Sequence, residues 1–188
     1  MELENYNEKL NFLSYTDELT GLYNRRGFYN FSEKCLELYS GMKKTGCLFF
    51  ADMDGLKKIN DTFGHEEGDI AIQSMAAILQ EAFRKNDIVC RLGGDEFVIL
   101  SIVSNDFKEE IVQERIKRLV NIHNEKSKKP YYISISVGSV IFQTDDKKLT
   151  LDHLLSQADN LLYEQKERKH SKGASNHVKE DNNSIHDK

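Results

Sequence analysis

The feature that most constrains the fold is an unbroken apolar run, GCLFFA, at residues 46–51. The run has the length of a β-strand and is followed directly by Asp52. A strand that is apolar at every position needs cover on both faces, whereas a half-exposed strand alternates apolar and polar residues. The run therefore predicts a central strand with other elements packed on both sides.

A glycine pair, Gly93 and Gly94, predicts a β-hairpin. Two β-rich runs flank it, at residues 88–92 and 97–102. We expect a type I′ turn, in which both glycines adopt positive φ. A further strand is predicted at residues 133–138, where Ile and Val alternate with Ser and Gly.

Helical periodicity fills most of the intervals between these strands. Apolar residues recur at spacings of three and four in residues 25–38, 72–83, 112–120 and 151–162. The polar residues 52–71 are expected to form a loop. The resulting order contains a β-α-β-β-α-β unit, so the predicted fold class is α+β. We expect a ferredoxin-like core with extra helices on a mostly antiparallel sheet.

The chain is expected to form one domain with two extensions. Its 188 residues suffice for one sizeable core. Residues 1–14 are predicted to form a signalling or linker helix, either a short coiled coil or an amphipathic helix docked on its own domain. Its apolar stripe is Leu3, Tyr6, Leu10 and Leu13. The domain is predicted at residues 15–170, and the polar residues 171–188 are predicted to be disordered.

Composition excludes several classes of function. No apolar run approaches the ~20 residues of a membrane span, and the acidic N-terminus does not resemble a secretion signal, so we expect a cytoplasmic location. Cys35, Cys47 and Cys90 are scattered, which favours reduced core thiols over disulfides or zinc ligands. The formal net charge of −5 argues against binding of a nucleic-acid polymer, although local lysines could bind a small polyanion.

Acidic residues follow both the central strand and the glycine pair. Asp52 and Asp54 end the apolar run, and Asp95 and Glu96 follow the glycines. If the hairpin lies beside the first strand, these acids converge, and a divalent cation relieves their repulsion. Hard oxygen ligands select Mg²⁺ or Mn²⁺. Either acid pair taken alone is more typical of an exposed loop end.

Six ordered segments together resemble the motifs of one family. The segment RLGGDEF at residues 91–97 resembles the signature of the GGDEF family, the diguanylate cyclases. The other segments are DELTGLYNRR at 17–26, DMDGLKKIND at 52–61, GHEEGD at 64–69, SISVG at 134–138 and ADNLLY at 158–163. The resemblance extends over residues 15–166.

The resemblance implies an enzyme that condenses two GTP molecules into cyclic di-GMP and releases two pyrophosphates. It implies a homodimer, because each protomer holds one GTP and the two nucleotides react with each other. It also implies inhibition by the product. The implied cofactor is Mg²⁺ or Mn²⁺, and the implied fold is that of nucleotide cyclases and polymerase palms. An upstream sensor domain is implied if the chain is part of a longer protein. The alternative is a catalytically silent GGDEF module that binds GTP or cyclic di-GMP as a sensor or scaffold.

The matched motifs imply a role for individual residues. The implied catalytic residues are Asp52, Lys57, Asp95 and Glu96. The implied metal ligands are Asp52, Asp95 and the backbone carbonyl of Met53. The implied substrate-binding residues are Lys57, Asn60, His65, Asp69, Gly93, Gly94 and Lys166. Among these, Asn60 and Asp69 match positions that contact the guanine edge, and the two lysines match phosphate contacts.

Two further points concern regulation and departures from the family. The segment RKND at residues 84–87 resembles the family's inhibitory product site, with Arg84 and Asp87 as the implied contacts. Lys169 and His170 stand where the family often has Gly-Arg. Arg168 or Lys169 is then the candidate for the phosphate contact of the missing arginine.

Overall fold

The structure is a computed structural model that describes residues 14–146 and 148–171, apart from the side chain of His170. The helix expected at residues 1–14, with its coiled-coil stripe, lies outside the described residues except for residue 14. The expected tail also lies outside them, except that Ser171 ends a helix. The limits of the domain and its extensions therefore remain a prediction.

The described residues contain five helices and four strands that the structure delimits. In chain order they are α1 (Arg25–Tyr39), β1 (Thr45–Met53), α2 (Leu56–Phe63), α3 (His65–Ala82), β2 (Ile88–Gly93), β3 (Glu96–Val103), α4 (Glu109–Lys126), β4 (Ile135–Gln143) and α5 (Leu151–Ser171). The strands form one sheet in the order β2-β3-β1-β4, and every neighbouring pair is antiparallel. This is the predicted ferredoxin-like arrangement, and the α+β fold class is confirmed.

Strand β1 is buried along its whole length, as its apolar sequence predicts. Cys47 and Phe49 belong to a core cluster shared with α2, α3 and α4. Leu48 and Phe50 belong to a second cluster shared with α1 and α5. The alternation of side chains along a strand thus places one apolar layer on each face of the sheet.

The cysteines are free thiols, as expected for core residues. Cys47 and Cys90 are buried, and burial raises the pKa of both thiols. They therefore remain protonated and pack as small apolar side chains. Cys35 is half-buried on α1.

The polar segment after β1 is not the loop that the sequence predicts. It forms α2 and the first turns of α3. Helix α2 has only 8 residues and buries only Leu56 and Ile59, so its periodicity is too short to recognise in the sequence. The expected strand at residues 133–138 is also displaced. The strand begins at Ile135 and ends at Gln143, because its second half pairs with the start of β1.

The predicted type I′ turn is wrong. Gly93 pairs with Glu96, so Gly94 and Asp95 are the two residues of the turn. The φ angle of Gly94 is 52°, but Asp95 is not among the non-glycine residues with positive φ. An irregularity in the ladder between Arg91 and Gly93 shifts the register and brings the aspartate into the turn itself.

Both edges of the sheet carry hydrogen bonds from other parts of the chain. At the β2 edge, the Tyr23 amide donates to the Val89 carbonyl over 3.2 Å, and the Arg91 amide donates to the Tyr23 carbonyl over 2.9 Å. At the β4 edge, the Val137 amide donates to the side-chain oxygen of Gln165 over 2.5 Å. These contacts occupy main-chain groups that a free edge strand presents to solvent.

Gly138 allows α5 to lie directly on β4. A Cβ atom at this position would overlap the carbonyl oxygen of Ala158 and the amide nitrogen of Leu162. Both are backbone atoms of α5, so neither can turn away as a flexible side chain would. The close approach fixes the position of the helix that carries Lys166 and Lys169.

We expect Gly138→Ala to lower the free energy of unfolding by about 3 kcal/mol, because the added methyl group forces α5 away from β4. Urea unfolding followed by circular dichroism measures this change. Gln157→Ala, on the exposed face of α5, is the control and should change stability by less than about 0.5 kcal/mol. An equally stable Gly138→Ala protein would contradict the packing.

Candidate active site

The structure brings the acids after β1 and the acid of the hairpin turn together. Asp52 pairs with Glu96 at the end of the β1–β3 ladder. The next residue, Met53, donates its amide hydrogen to the Asp95 carbonyl over 3.1 Å. Asp52 is buried, Asp95 is half-buried and Glu96 is exposed. The predicted convergence of these residues is therefore present in the fold.

The surroundings of Asp52 stabilise its ionised form only in part. Burial raises its pKa to about 6, and the negative charges of Asp95 and Asp54 contribute in the same direction. The Lys166 ammonium, 2.7 Å from Asp52 Oδ1, opposes the shift but does not cancel it. A cation near Asp52 and Asp95 would stabilise their ionised forms.

Asp54 is satisfied by the protein itself. Its carboxylate accepts hydrogen bonds from the hydroxyls of Ser134 and Ser136, each over 2.6 Å, and from the Lys169 ammonium over 2.7 Å. Burial acts to raise the pKa of Asp54, but these donors outweigh it and hold the pKa below its usual value. Lys169 also donates to the Ile135 carbonyl over 2.8 Å. Asp54 therefore ties β4 and α5 to the end of β1.

This use of Lys169 bears on the missing family arginine. The Lys169 ammonium donates to Asp54 and to the Ile135 carbonyl of β4, so it is not free to contact a phosphate. Arg168 is exposed and lies 3.3 Å from Glu164 on the preceding turn of α5. Lys166, on the same helix, lies against Asp52.

The donor set suits a hard divalent cation. Asp52, Asp95 and the Met53 carbonyl offer oxygen atoms from adjoining segments. Mg²⁺ usually takes one or two carboxylates and completes its shell with water and phosphate oxygens. Among the described residues, no group of three or more His, Cys, Asp and Glu side chains is arranged to hold a metal ion. Asp52, Asp95 and the Met53 carbonyl would leave positions of such a shell open for water and phosphate oxygens.

Helices α2 and α3 carry a second group of candidate residues. Lys57 lies in the first turn of α2 and is exposed, as are His65 and Asp69 at the start of α3. A Cβ atom on Gly68 would overlap the side-chain oxygen of Asn60. The glycine therefore lets the Asn60 amide lie against α3, one residue before Asp69 in the sequence.

An arginine outside the predicted set stabilises the hairpin turn. Arg91 donates from Nε and Nη2 to the Gly94 carbonyl over 3.0 and 2.9 Å. Its Nη1 lies 3.2 Å from both carboxylate oxygens of Asp17. Burial acts to raise the pKa of Asp17, but hydrogen bonds from Thr20 and the Arg91 charge hold it below its usual value. The first and fourth family-like segments are thus joined by an ion pair.

Arg84 and Asp87 lie together between α3 and β2. The Arg84 amide donates to Asp87 Oδ2 over 2.7 Å, which closes a tight turn and leaves the guanidinium exposed. A cavity of about 230 Å³ adjoins them and is also lined by Phe107 and Arg115. Arg115 reaches it from α4 and donates to the Ala82 carbonyl over 2.8 Å. Sequence reasoning missed Arg115, because its contact with Ala82 joins residues 33 positions apart and leaves no local signal.

Comparison with known proteins identifies the family. Residues 14–172 match the family model described as "Diguanylate cyclase, GGDEF domain". The chain belongs to the GGDEF family. It is 33% identical over 159 residues to the probable diguanylate cyclase DgcT of Escherichia coli, and the match spans 82% of this chain and 34% of DgcT. It is 31% identical to the diguanylate cyclase DgcP of the same organism, with 89% of this chain and 49% of DgcP covered.

A solved structure supports the fold of this GGDEF domain. The coiled coil and GGDEF domain of DgcB from Caulobacter crescentus, in complex with c-di-GMP, superposes with a TM-score of 0.76 at 22% identity. The match covers 94% of this chain and 91% of that one. Within the described part of this chain, no helix combines the length and the apolar character needed to cross a membrane.

We expect Asp17→Asn to lower the free energy of unfolding by about 1–2 kcal/mol at pH 7, because a half-buried Arg91 loses its counter-ion. The native pKa of Asp17 is below the ordinary 3.8. The stabilisation is therefore complete above about pH 5 and is lost as the pH falls through the native pKa. Urea unfolding at several pH values measures the difference between the two proteins.

The control for this experiment is Glu114→Gln. Glu114 forms an exposed pair with Lys117, so its loss should change stability by less than about 0.5 kcal/mol at any pH. A deficit in Asp17→Asn that is as large at pH 3 as at pH 7 would show that the ion pair is not its cause.

Proposed function

We propose that this chain is a diguanylate cyclase domain that condenses two GTP molecules into cyclic di-GMP and two pyrophosphates. The observation that carries the proposal is the junction of β1 with the hairpin turn. It places the carboxylates of Asp52 and Asp95 on adjoining backbone segments linked by the hydrogen bond from Met53 to Asp95. Membership of the GGDEF family agrees with this chemistry.

Mg²⁺ or Mn²⁺ would be held by Asp52, Asp95 and the carbonyl of Met53. When bound, such a cation neutralises triphosphate charge and polarises the reacting phosphorus. The raised pKa of Asp52 supports this assignment, because it shows a carboxylate that the protein compensates only in part.

The lysines and glycines would position the triphosphate. Lys166 lies 2.7 Å from Asp52 and presents its ammonium to the acids, and Lys57 is exposed in the first turn of α2, the helix that follows β1. Gly93 and Gly94 carry no side chains and let phosphate oxygens approach the backbone of the turn. Asp95 would also accept the proton of the attacking 3′-hydroxyl, with Glu96 as a second acid beside it.

Asn60 and Asp69 would select guanine. A carboxylate accepts hydrogen bonds from both N1–H and the 2-amino group of guanine, whereas adenine has no such pair of donors. The close approach of the Asn60 side chain to Gly68, the residue before Asp69, supports this pairing. His65 would contact the substrate from the start of the same helix.

Two copies of the domain are needed for the reaction. Each site would hold one GTP, and the 3′-hydroxyl of one nucleotide must reach the α-phosphate of the other. We therefore propose a homodimer whose copies meet through their nucleotides. We also propose that the domain acts in the cytoplasm. This chain spans only a third of DgcT and half of DgcP, and if it is part of a longer protein we propose an upstream sensor domain.

We expect Asp95→Asn to lower the rate of cyclic di-GMP formation by at least about a thousandfold, since the turn loses its charged ligand. The assay incubates the full chain with GTP and Mg²⁺ and quantifies the product by chromatography. Asp145→Asn is the control, because Asp145 is an exposed aspartate just after β4, away from the turn. If the wild-type chain binds GTP but forms no product even when two copies are linked, the silent module is the correct function.

Arg84, Asp87 and Arg115 would form the inhibitory product site. The adjoining cavity is lined by the guanidinium groups of Arg84 and Arg115 and by the carboxylates of Asp87 and Asp106. The guanidinium groups complement the phosphates of cyclic di-GMP, and the carboxylates complement its guanine edges. Arg84 and Asp87 precede β2 in the sequence, whereas the hairpin turn follows it. The third contact, Arg115, comes from α4.

We expect Arg115→Ala to raise the cyclic di-GMP concentration for half-inhibition by about tenfold while the uninhibited rate stays the same, because one charged contact to the product is lost. Titrating product into the assay measures this. Arg118→Ala, an exposed arginine on the same helix, is the control. Unchanged inhibition in both variants would exclude Arg115 from the product site.

A further inference from the structure

Three residues form a cluster at the start of α3, which we call the Glu67 brace. Glu67 lies in the first turn of the helix. Lys129 Nζ lies 2.7 Å from its Oε1, and the Tyr131 hydroxyl lies 2.9 Å from its Oε2 and 3.1 Å from its backbone carbonyl. Lys129 and Tyr131 belong to the segment between α4 and β4, more than 60 residues away in sequence.

The brace is chemically satisfied. The Lys129 ammonium, followed by the Tyr131 hydroxyl, holds the pKa of Glu67 below its usual value. Burial and the Glu67 charge raise the pKa of Tyr131, so its hydroxyl stays protonated and donates. The carboxylate also lies at the positive end of the α3 dipole, which favours its charge.

Tyr131 contacts both α2 and α3, the helices that carry Asn60 and Asp69. Its side chain is only 3% exposed. Its ring packs on Phe63, the last residue of α2, with 5.6 Å between ring centroids. Its hydroxyl reaches Glu67 on α3. One side chain therefore spans the junction between the two helices.

The junction between α2 and α3 is held both by core packing and by the brace. Leu56 and Ile59 of α2 are buried in one cluster with Ala71 and Ile72 of α3. A single residue, Gly64, separates α2 from α3, and its φ of 91° lies in the region that favours glycine. Gly64 provides no side-chain cap for α3. A glycine hinge without a side-chain cap sets the angle between two helices only weakly, so this angle depends on contacts outside the hinge, the brace among them.

The angle matters because the two proposed guanine contacts lie on different helices. Asn60 is on α2, where its carbonyl accepts the Gly64 amide over 2.9 Å. Asp69 is on α3, two residues after Glu67. A change in the angle between the helices alters the separation of these side chains without displacing the metal-binding acids of β1 and the turn.

We propose that Lys129 and Tyr131 are positioning residues for guanine recognition, which hold Glu67 so that Asn60 and Asp69 address one purine edge together. The proposal rests on the function proposed above, because it assumes that these two residues contact guanine. It assigns a role in substrate choice to a segment that contributes no group to the reaction itself.

The test compares GTP with inosine triphosphate, which lacks only the 2-amino group that Asp69 would accept. Lys129→Met removes the ammonium, and Tyr131→Phe removes the hydroxyl but keeps the ring on Phe63. Lys128→Met is the matched control, since Lys128 is the exposed neighbour. Lys129→Arg should restore the ion pair. For each protein, kcat and KM are measured with both nucleotides, and dissociation constants are measured with their non-hydrolysable analogues.

For Lys129→Met and Tyr131→Phe we expect the KM for GTP to rise about tenfold, with kcat changed less than about twofold, because the contacts are misplaced but the acids are not. The preference for GTP over inosine triphosphate should fall by a similar factor. Lys128→Met and Lys129→Arg should match the wild-type chain.

Other outcomes overturn the inference. If kcat falls for both nucleotides while KM and the preference stay the same, the brace only supports the fold. If both variants match the wild-type chain that makes product, the inference is wrong and the proposed function stands. If the wild-type chain binds neither nucleotide analogue, the proposed function fails, and this inference fails with it.

Discussion

The site depends on a charged side chain at the end of a fully buried strand. The ladder between β1 and β3 continues to Asp52, so the same burial that stabilises the sheet removes this carboxylate from water. Such a transfer is unfavourable unless the charge finds partners. Lys166 supplies one partner, but the pKa of Asp52 remains raised. The fold therefore holds an acid that a bound cation would stabilise.

The neighbouring acid, Asp54, differs from Asp52 in how the protein compensates its charge. Asp54 is two residues further on, yet two hydroxyls and the Lys169 ammonium satisfy it. Asp54 is therefore committed to joining β1, β4 and α5. Local composition alone does not separate the two aspartates, whereas the structure shows that Asp54 is bound by framework donors and that Asp52 is only partly compensated.

Much of the fold could be predicted from local pattern. The apolar run of β1 and the long stripes of α3, α4 and α5 carry enough repeats for their periods to be recognised, and strand order then follows from topology. Helix α2 was missed because two turns with two buried residues give no clear period. The turn type was wrong because an irregularity in β2 moved the pairing by one residue.

Much of the candidate site was visible for a different reason. Asp52, Asp95 and Asn60 lie in motifs whose residue types and spacing are distinctive. Arg115 and Glu67 were not predicted as site residues, because their contacts join segments 33 and 64 residues apart. No local pattern encodes such contacts, so they become visible only once the tertiary structure is known.

The hydrogen bonds at the sheet edges have a consequence for how copies of the chain encounter each other. Two copies must associate for the proposed reaction, and unprotected edge strands would allow them to join into a continuous intermolecular sheet. Tyr23 occupies main-chain groups of β2, and Gln165 occupies one of β4. Fibril-like stacking is thereby disfavoured. Under the proposed function, two copies would then meet through the faces that hold the nucleotides.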